Sequence, residues 1–398
     1  MDVCLLNDSF PPVIDGVANT VMNYARILTE NELATVQVAT PRYPDVDYSG
    51  YPYDVIPYPS ISIGRLVEGY RAGNPFTRAA VDVLSEAGPD IIHSHCPIIS
   101  TIVARRLRRK TKAPLILTYH TKFDFDLAES TRNPLLRREF LRFLVSNVAA
   151  CDEVWAVSRG AGENLESLGY KGEWRVVENG VDFPRGKAEE AFVREALSDY
   201  DLPQDAPVYL FVGRLMKYKG IPMLLDAALR MKEQGEDFRL VIIGGGADEK
   251  AIRSMADRYQ LGDRVIFTGM IHDREVLRAW NTRADLFLFP STYDTNGIVV
   301  REAAACGLAS MLIRESCAAE GVTDDKNGFL VDEDARSIAE LLIRIGHDRE
   351  HLSSVGKNAM NELYMSWEDS VRNAYRLYEE ILEKKKAGFY DNNEKADQ

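Results

Sequence analysis

Short apolar segments alternate with segments of helical spacing along almost the whole chain, and this alternation restricts the folds open to it. Apolar runs joined by helices are typical of parallel strands that helices cover on both faces. The first series of predicted strands is Val3–Leu6, Val36–Thr40, Asp54–Pro57, Ile91–His95, Leu115–His120 and Val154–Ser158. A second series consists of Val208–Val212, Arg239–Ile243, Val265–Phe267, Asp285–Phe289, Ser310–Ile313 and Phe329–Val331. The two series predict an α/β protein of two doubly wound domains.

The boundary between the domains is expected within 183–207, a charged segment that contains proline. This assigns 1–183 to the first domain and 184–365 to the second. Helical spacing over 366–384 predicts a last helix, and 385–398 is predicted to be a frayed or disordered tail. Ligands of such domains bind at the carboxyl ends of the strands, so we expect a ligand in a cleft between the two.

Composition excludes several classes of protein. A formal net charge of -13 argues against nucleic-acid binding. No apolar run approaches the roughly 20 residues of a membrane-spanning helix, and the N-terminus lacks the pattern of a signal peptide. The five cysteines form no C-x-x-C pair, which favours reduced thiols in a cytoplasmic protein.

The most informative stretch runs from Pro290 to Gly307, where a strand, a loop and a helix follow one another. Thr295 or Asn296 is expected to cap the helix, which leaves the backbone N–H groups of Gly297, Ile298 and Val299 without helical acceptors. Free N–H groups at a helix start bind anions, and phosphate is the usual one. Asp294 in the loop and Glu302 one turn into the helix would lie beside that anion. An acidic loop followed by a solvated glutamate is the alternative.

Two strand ends of the first series carry candidate residues. Gly16 follows the first strand at a predicted helix start, where the missing Cβ lets a phosphate approach the backbone. A simple turn glycine is the alternative. His120 ends another strand, and its imidazole can hydrogen-bond a sugar hydroxyl or take part in proton transfer. A histidine with only a structural role is the alternative there.

Two strand ends of the second series complete the set. Arg214 and Lys219 follow its first strand, and their cations can neutralise a diphosphate leaving group, with a solvated basic loop as the alternative. Met270 and Ile271 follow a later strand and offer a backbone edge to a nucleotide base.

Other motifs do not support a competing function. His93 and His95 share one face of a strand but lack a third ligand nearby in the sequence, which makes a poor zinc site. The glycine run 244–246 lacks the spacing of a dinucleotide-binding turn, and neither a Walker A motif nor a G-x-S-x-G elbow is present.

The segment 105–142 is basic within an acidic protein. Eleven basic and four acidic residues give it a charge of +7. Its helical part, 135–145, mixes Arg137, Arg138 and Arg142 with leucine and phenylalanine, as a helix lying on an anionic membrane does. An ordinary amphipathic helix with its apolar face in the core is the alternative.

Taken in order, these residues resemble the retaining glycosyltransferases of family 4, which have the GT-B architecture of two Rossmann-like domains. The resemblance spans nearly the whole chain. The segments that carry it are Pro11-Pro12 with Gly16, the strand end at His120, Glu178–Asp182, Gly213–Gly220, the acid pair Asp294 and Glu302 separated by seven residues, and Trp367-Glu368 before the last helix.

The resemblance implies a role for each matching position. Arg214 and Lys219 would bind the donor diphosphate together with Gly16 and the N–H groups near Gly297. Asp294 would contact the transferred sugar, with His120 beside it near the acceptor. Catalytic roles thus fall to His120, Arg214, Lys219 and Asp294. The remaining donor contacts fall to Gly16, Met270, Ile271, Asn296, Gly297, Ile298, Val299 and Glu302, the last of which would hold the ribose.

The family uses a nucleotide sugar as its donor and needs no metal or cofactor, and its final helix crosses back to the first domain. The chain departs from the pattern in three places: Asp15 replaces the first glycine of the usual pair, Asp294 replaces the common glutamate, and Arg301 stands where an apolar residue is typical. A carboxylate at Asp15 would repel a phosphate unless it turned away.

The expected reaction is transfer of a hexose, best matched by glucose from UDP-glucose, to a membrane lipid such as diacylglycerol. Segments 292–297 and 120–123 resemble membrane-associated lipid glycosyltransferases, and the basic helix would bind the inner face of the cell membrane. The alternatives are a glycosyltransferase with a soluble or polysaccharide acceptor and a non-catalytic sugar-nucleotide binding protein.

Overall fold

The computed structural model describes residues 1–63, 69–123 and 133–390. The chain forms two compact units: the first contains Met1–Asn179 and the chain from Trp367 onward, and the second contains Gly180–Ser366. The predicted strands are all present in them, with ends that differ from the prediction by at most two residues.

The first unit is built on a parallel sheet with the strand order β3-β2-β1-β6-β7-β8-β9. A separate antiparallel pair is formed by β4 and β5. The strands are β1 (Asp2–Leu6), β2 (Thr35–Pro41), β3 (Asp54–Tyr58), β4 (Ser60–Ser62), β5 (Arg71–Gly73), β6 (Ile91–Ser94), β7 (Leu115–Tyr119), β8 (Glu153–Ala156) and β9 (Arg175–Val176). The helices between them are α1 (Gly16–Glu30), α2 (Arg78–Glu86), α3 (Ile99–Thr111), α4 (Pro134–Ala149) and α5 (Arg159–Ser167).

Side-chain carboxylates and amides begin these helices. Asp15 caps α1, and its Oδ1 accepts from the N–H groups of Val17 at 2.9 Å and Ala18 at 2.7 Å. The start of α3 is capped from a distance by Asp8, which follows β1 and accepts from Ile99 at 3.0 Å and Ser100 at 2.7 Å. The loop after β1 is thereby fixed at the carboxyl edge of the sheet.

The second unit has a parallel sheet with the order β12-β11-β10-β13-β14-β15. Its strands are β10 (Val208–Val212), β11 (Arg239–Ile243), β12 (Val265–Gly269), β13 (Leu286–Phe289), β14 (Ser310–Ile313) and β15 (Phe329–Val331). Its helices are α6 (Glu190–Ala196), α7 (Ile221–Glu233), α8 (Glu249–Arg258), α9 (Arg274–Arg283), α10 (Ile298–Ala305), α11 (Ala335–Ile345) and α12 (Arg349–Glu362). In β10, Tyr209 and Phe211 enter one core cluster and Val208 and Leu210 enter the other. The sheet is therefore covered on both faces, as its apolar strands predict.

The last helix, α13 (Trp367–Lys386), belongs to the first unit and packs on α1. Val371, Ala374, Tyr378 and Ile381 recur at helical spacing and are buried in the same core cluster as residues of α1. The chain beyond it is also held, since Lys384 and Tyr390 each place a side-chain atom 2.8 Å from Glu153 Oε1. The predicted frayed tail is therefore wrong for 385–390, and its remainder, 391–398, lies outside the described residues.

The units divide between Asn179 and Gly180, which is upstream of the segment 183–207 where the boundary was expected. Phe183, Val193 and Leu197 are buried in a core cluster of the second unit. A charged surface with apolar side chains beneath it gave this segment the composition of a linker. The last helix also begins one residue later and ends two residues later than 366–384.

The glycine run after β11 packs against the loop after β10. The N–H group of Gly213 donates to Ile243 O at 3.0 Å, and that of Leu215 donates to Gly245 O at 3.0 Å. At Gly244, whose φ is +141°, a Cβ would collide with the Gly213 carbonyl oxygen. The run therefore holds two neighbouring loops together, and no phosphate is needed to explain it.

We predict that Gly244→Ala destabilises the second unit by more than about 3 kcal/mol, since it combines backbone strain with a steric collision. Gly235→Ala is the matched control, because Gly235 has a φ of +83° but a Cβ on it would meet nothing within 4 Å. Strain alone costs about 1–2 kcal/mol there. Thermal unfolding of both variants measures the difference, and equal losses would contradict the collision.

Candidate functional site

Most of the candidate residues of the second unit lie in loops that leave the carboxyl ends of adjacent strands. Arg214 and Lys219 follow β10, Asp294 follows β13, and β10 pairs directly with β13. Met270 and Ile271 follow β12. The sheet order therefore brings the basic loop and the acidic loop together, although about 75 residues separate them.

Lys219 and Asp294 form an ion pair, with 2.5 Å between Nζ and Oδ1. Lys219 ends a short 3₁₀ turn, and the following Gly220 lies so close to the end of β13 that a Cβ on it would be 2.6 Å from Pro290 O. This close approach of two backbones delivers the ammonium to the carboxylate. Both side chains are largely withdrawn from water, with 12% and 26% of their surfaces exposed.

Two polar atoms of this loop, one of them in the ion pair itself, are buried without a hydrogen-bond partner in the described residues. They are Asp294 Oδ2 and Asn296 Nδ2. One is an acceptor and the other a donor, and both belong to the loop that precedes α10. Buried polar atoms are nearly always paired in folded proteins, so this loop has the composition of a site for a hydroxylated ligand.

The start of α10 differs from the prediction. Gly297, and not Thr295 or Asn296, is the N-cap residue; it has a left-handed conformation with φ of 56°, and no side chain caps the helix. The N–H group of Val300 donates to Gly297 O at 2.8 Å, so Ile298 and Val299 carry the first N–H groups that lack a helical acceptor. Gly307, which follows the C-cap residue Cys306, has a left-handed conformation that suits a helix end. An uncapped helix start remains suited to an anion.

Glu302 is buried, which contradicts the alternative of a solvated glutamate. Its Oε1 lies 2.5 Å from Arg274 Nη2, and the Arg274 guanidinium stacks on the Phe183 ring at 4.5 Å. Burial raises the pKa of Glu302, while the charge and hydrogen bond of Arg274 act in the opposite direction. No motif in the sequence pointed to Arg274, which begins the helix after Met270 and Ile271.

The other candidates in this unit are more accessible. Arg214 is exposed, Met270 is 67% exposed, and Ile271 packs against a core cluster. Arg301, which the sequence left without explanation, donates from Nη1 to Leu363 O at 3.3 Å and so ties α10 to the end of α12.

The candidate residue of the first unit, His120, belongs to a group of three buried histidines. His95 Nδ1 lies 3.1 Å from His120 Nε2, and the two rings stack with their centroids 5.3 Å apart. The ring of His93 follows at 4.1 Å from that of His95, as their predicted common face requires. Burial lowers the pKa of His120 to about 4, against the opposing charge of Asp15, and burial also lowers the pKa values of His93 and His95.

Asp15 has turned toward its own helix. One of its oxygens caps α1, and the other accepts from the Tyr70 hydroxyl at 2.8 Å. A Cβ on Gly16 would meet nothing within 4 Å, so the packing of the first unit does not require glycine there. The N–H groups of Val17 and Ala18 are thus already bound by a carboxylate, whereas the backbone of Gly16 is not part of that cap.

The basic helix α4 is amphipathic only in its second half. Leu144, Asn147 and Val148 are buried, whereas Leu135 and Leu136 near its start are 62% and 64% exposed. Arg138 and Arg142 are exposed, and Arg137 is half-buried. The segment 124–132, which holds three of the four acidic residues and one of the eleven basic residues in that count, lies outside the described residues.

Within residues 1–63, 69–123 and 133–390, no group of three His, Cys, Asp or Glu side chains has an arrangement that could hold a metal ion. The helices in the same ranges include none that is long and apolar enough to span a bilayer.

Comparison with known proteins gives consistent matches. A model described as Glycosyltransferase Family 4 matches residues 14–185, and one described as Glycosyl transferases group 1 matches residues 193–362. Alpha-monoglucosyldiacylglycerol synthase of Streptococcus pneumoniae is 25% identical over 312 residues, or 77% of this chain and 70% of that protein.

Two solved structures are similar in fold. Sucrose-phosphate synthase from Thermosynechococcus elongatus has a TM-score of 0.75 at 23% identity, covering 96% of this chain and 99% of that one. HepE of Anabaena, in complex with UDP, has a TM-score of 0.74 at 19% identity, covering 96% and 100%.

We predict that His120 makes folding stability depend on pH. Its pKa is 6.5 in the ordinary state and about 4 in the fold, so the unfolded chain binds the extra proton as the pH falls through this window. The contribution of neutral His120 to the free energy of unfolding is therefore fully present above pH 6.5. It decreases as the pH falls toward 4, by at most about 1.4 kcal/mol per pH unit for one histidine.

His120→Asn should flatten this dependence by up to that amount, as measured by denaturant unfolding at pH 7 and pH 5. Asp8, whose pKa burial raises to about 6, acts in the opposite direction, but it is common to both proteins and cancels in the difference. An unchanged slope in the variant would show that His120 charges as easily in the fold as in water.

Proposed function

Because the chain belongs to glycosyltransferase family 4 and has the GT-B fold, we propose that it transfers a hexose, with retention of anomeric configuration and without a metal ion, from UDP-glucose to a membrane lipid acceptor. As the sequence predicts, it is a glycosyltransferase that takes its sugar from a nucleotide sugar. The donor base and sugar, the acceptor and the stereochemistry are the parts proposed here.

The observation that carries this proposal is the loop before α10. Lys219 supplies a cation, the first N–H groups of α10 supply an anion site, and Asp294 Oδ2 and Asn296 Nδ2 are buried polar atoms without partners in the described residues. A nucleotide sugar offers the matching groups, since its diphosphate is anionic and its hexose carries hydroxyls.

Each residue then has a defined task. Lys219 and Arg214 bind the diphosphate with the N–H groups of Ile298 and Val299, and Asp294 accepts from sugar hydroxyls. Glu302 binds the ribose while Arg274 keeps it ionised. The base lies along Met270 and Ile271, and Gly16 offers its backbone to the diphosphate.

The reaction breaks the bond between the anomeric carbon and the β-phosphate oxygen, and the electron pair stays on the diphosphate. The acceptor hydroxyl forms the new bond on the same face of the sugar and gives its proton to a leaving phosphate oxygen. Arg214 and Lys219 stabilise the charge that develops on the diphosphate, which is a role a metal ion plays in other transferases. His120 contacts the transferred sugar.

UDP is favoured as the donor nucleotide because HepE, a protein of similar fold, was solved in complex with UDP. Glucose is favoured because the relative from Streptococcus pneumoniae is named an alpha-monoglucosyldiacylglycerol synthase. The replacement of the usual glutamate by Asp294 is compatible with a hexose, since the ion pair with Lys219 fixes the shorter side chain in place.

A lipid acceptor is supported by helix α4. Leucine side chains are exposed at its start, and Arg137, Arg138 and Arg142 line a cavity of about 400 Å³ together with Leu141 and Leu168. Guanidinium groups beside exposed leucines suit a surface of anionic lipid, where the leucines enter the headgroup region.

An acceptor dissolved in water is the second candidate. It is favoured by the similarity in fold to sucrose-phosphate synthase, at a TM-score of 0.75. Transfer to water-soluble sugars in the absence of lipid and detergent, at rates above those with diacylglycerol in vesicles, would decide for it.

We predict that UDP-glucose stabilises the protein against heat more than GDP- or ADP-sugars do. A ligand at 100 times its dissociation constant adds about 2.7 kcal/mol. Lys219→Met should remove most of this stabilisation and lower the rate of UDP release by about a hundredfold or more, because a preorganised donor to the diphosphate is lost.

Lys217→Met is the matched control, since Lys217 lies in the same 3₁₀ turn but its side chain is 66% exposed. Its Nζ is as far as 3.9 Å from Asp248 Oδ1, so the ion pair that the substitution removes is a weak one. It should retain the response to UDP-glucose. Equal losses in the two variants, or stabilisation by GDP- or ADP-sugars alone, would contradict the proposed donor site.

We also predict that the protein binds vesicles that contain phosphatidylglycerol and not vesicles of phosphatidylcholine alone. Reversal of Arg137, Arg138 and Arg142 to glutamate should weaken this binding by about a hundredfold or more, because each basic residue near an anionic surface contributes about 1 kcal/mol. Sedimentation with vesicles measures it.

The control is the triple variant Arg194→Glu, Arg336→Glu and Arg372→Glu, which changes the net charge equally on exposed helices elsewhere. If both triple variants lose binding to the same extent, net charge and not helix α4 determines it. Absence of binding in the unmodified protein would remove the membrane part of the proposal.

A further inference from the structure

The ring of His95 lies between the rings of two other histidines, and a tyrosine ring packs against it as well. Its ring centroid is 4.1 Å from that of His93 and 5.3 Å from that of His120, and the ring of Tyr24 meets it nearly perpendicularly at 5.4 Å. Only 2% of its surface is exposed. A ring packed in this way cannot turn, so its two nitrogens have fixed surroundings.

Those surroundings are unequal. Nδ1 of His95 lies 3.1 Å from His120 Nε2, whereas Nε2 is buried and has no hydrogen-bond partner among the described residues. A neutral imidazole carries one proton, and a buried N–H group without an acceptor is rarer and more costly than an unshared lone pair. The proton of His95 is therefore on Nδ1, which donates to His120.

His93 does not compete for the hydrogen bond between His95 and His120. Both nitrogens of His93 are already engaged, with Nδ1 2.6 Å from the Tyr378 hydroxyl and Nε2 2.7 Å from Thr118 Oγ1. Tyr378 belongs to α13, so the last helix anchors the inner end of the histidine group.

We propose that His95 is a positioning residue that fixes His120 as its Nδ1–H tautomer. His120 uses Nε2 to accept from His95, so the proton of its neutral ring is on Nδ1. It then meets an oxygen atom of the donor sugar or of the acceptor as a hydrogen-bond donor. This inference rests on the proposed function for the partner of Nδ1, but the tautomer itself does not.

The tautomer can be measured in the free protein. Long-range proton–nitrogen correlation spectra of protein labelled with ¹⁵N-histidine, assigned with His120→Asn, distinguish a protonated from a bare ring nitrogen. We expect His120 to carry its proton on Nδ1 at pH 7. A proton on Nε2 would overturn the proposal, whatever reaction the enzyme catalyses.

Two substitutions separate the hydrogen bond from the packing of the ring. His95→Phe keeps a ring between its neighbours but cannot donate, whereas the amide of His95→Asn can donate from near the position of Nδ1. We expect His95→Phe to abolish the tautomer preference of His120 and to lower kcat by about tenfold or more, with the donor KM nearly unchanged. His95→Asn should restore kcat to within a few-fold of the original, and thermal unfolding checks that both variants are folded.

The outcomes remain distinguishable from those for the proposed function. Equal kcat losses in the two variants would assign His95 to packing alone, and an unchanged kcat in His95→Phe would remove its effect on catalysis. If the tautomer is as expected but His120→Ala retains full activity, the proposed role of His120 fails and the tautomer assignment stands.

Discussion

Parallel strands need a crossover connection that returns the chain to the edge where the previous strand began, and this makes all strands of a sheet end at the same edge. Both sheets of this protein are covered on two faces, so their strands are mainly apolar, with His93 in β6 and Thr118 in β7 as buried polar exceptions. The candidate side chains lie in the loops that follow the strands and in the first turns of the helices after those loops. Lys219 and Asp294 meet because β10 pairs with β13, and His95 and His120 meet because β6 pairs with β7.

Burial at these edges decides how the charges behave. Lys219 neutralises Asp294 and Arg274 neutralises Glu302. A diphosphate that binds Lys219 must compete with a carboxylate already in contact, so its net gain is the difference between two charge-assisted contacts. Asp294 Oδ2, which has no protein partner in the described residues, gives the donor a contact that displaces nothing. In the proposed donor site, selectivity for the sugar therefore rests more on Asp294 than on the cations.

The sequence predicted the strands and two doubly wound domains because apolar runs and their order are local signals, and the resemblance to family 4 implied the GT-B fold. It located the carboxyl-end residues for the same reason. It did not predict the start of α10 at Gly297, because the left-handed cap depends on the loop's packing against Ala318. Arg274 was missed because its partner, Glu302, is distant in sequence, and nothing local distinguishes it from an ordinary surface arginine. The domain boundary was predicted a few residues too late because the burial of Phe183 depends on tertiary packing, which the local sequence does not indicate.

The protonation of the three buried histidines affects both the stability of the first unit and the orientation of His120. Tyr378 on α13 holds the ring of His93 by a hydrogen bond, the ring of His93 packs on that of His95, and His95 is hydrogen-bonded to His120 at the strand end. This arrangement orients His120 only while its ring and that of His95 are neutral. A proton on Nε2 of His120 would replace the acceptor nitrogen by a donor and place two N–H groups against each other. The burial that keeps the rings neutral thus also keeps their tautomers ordered, and acid would disturb both. The last helix is therefore a support for the strand-end histidine as well as a cover for the core.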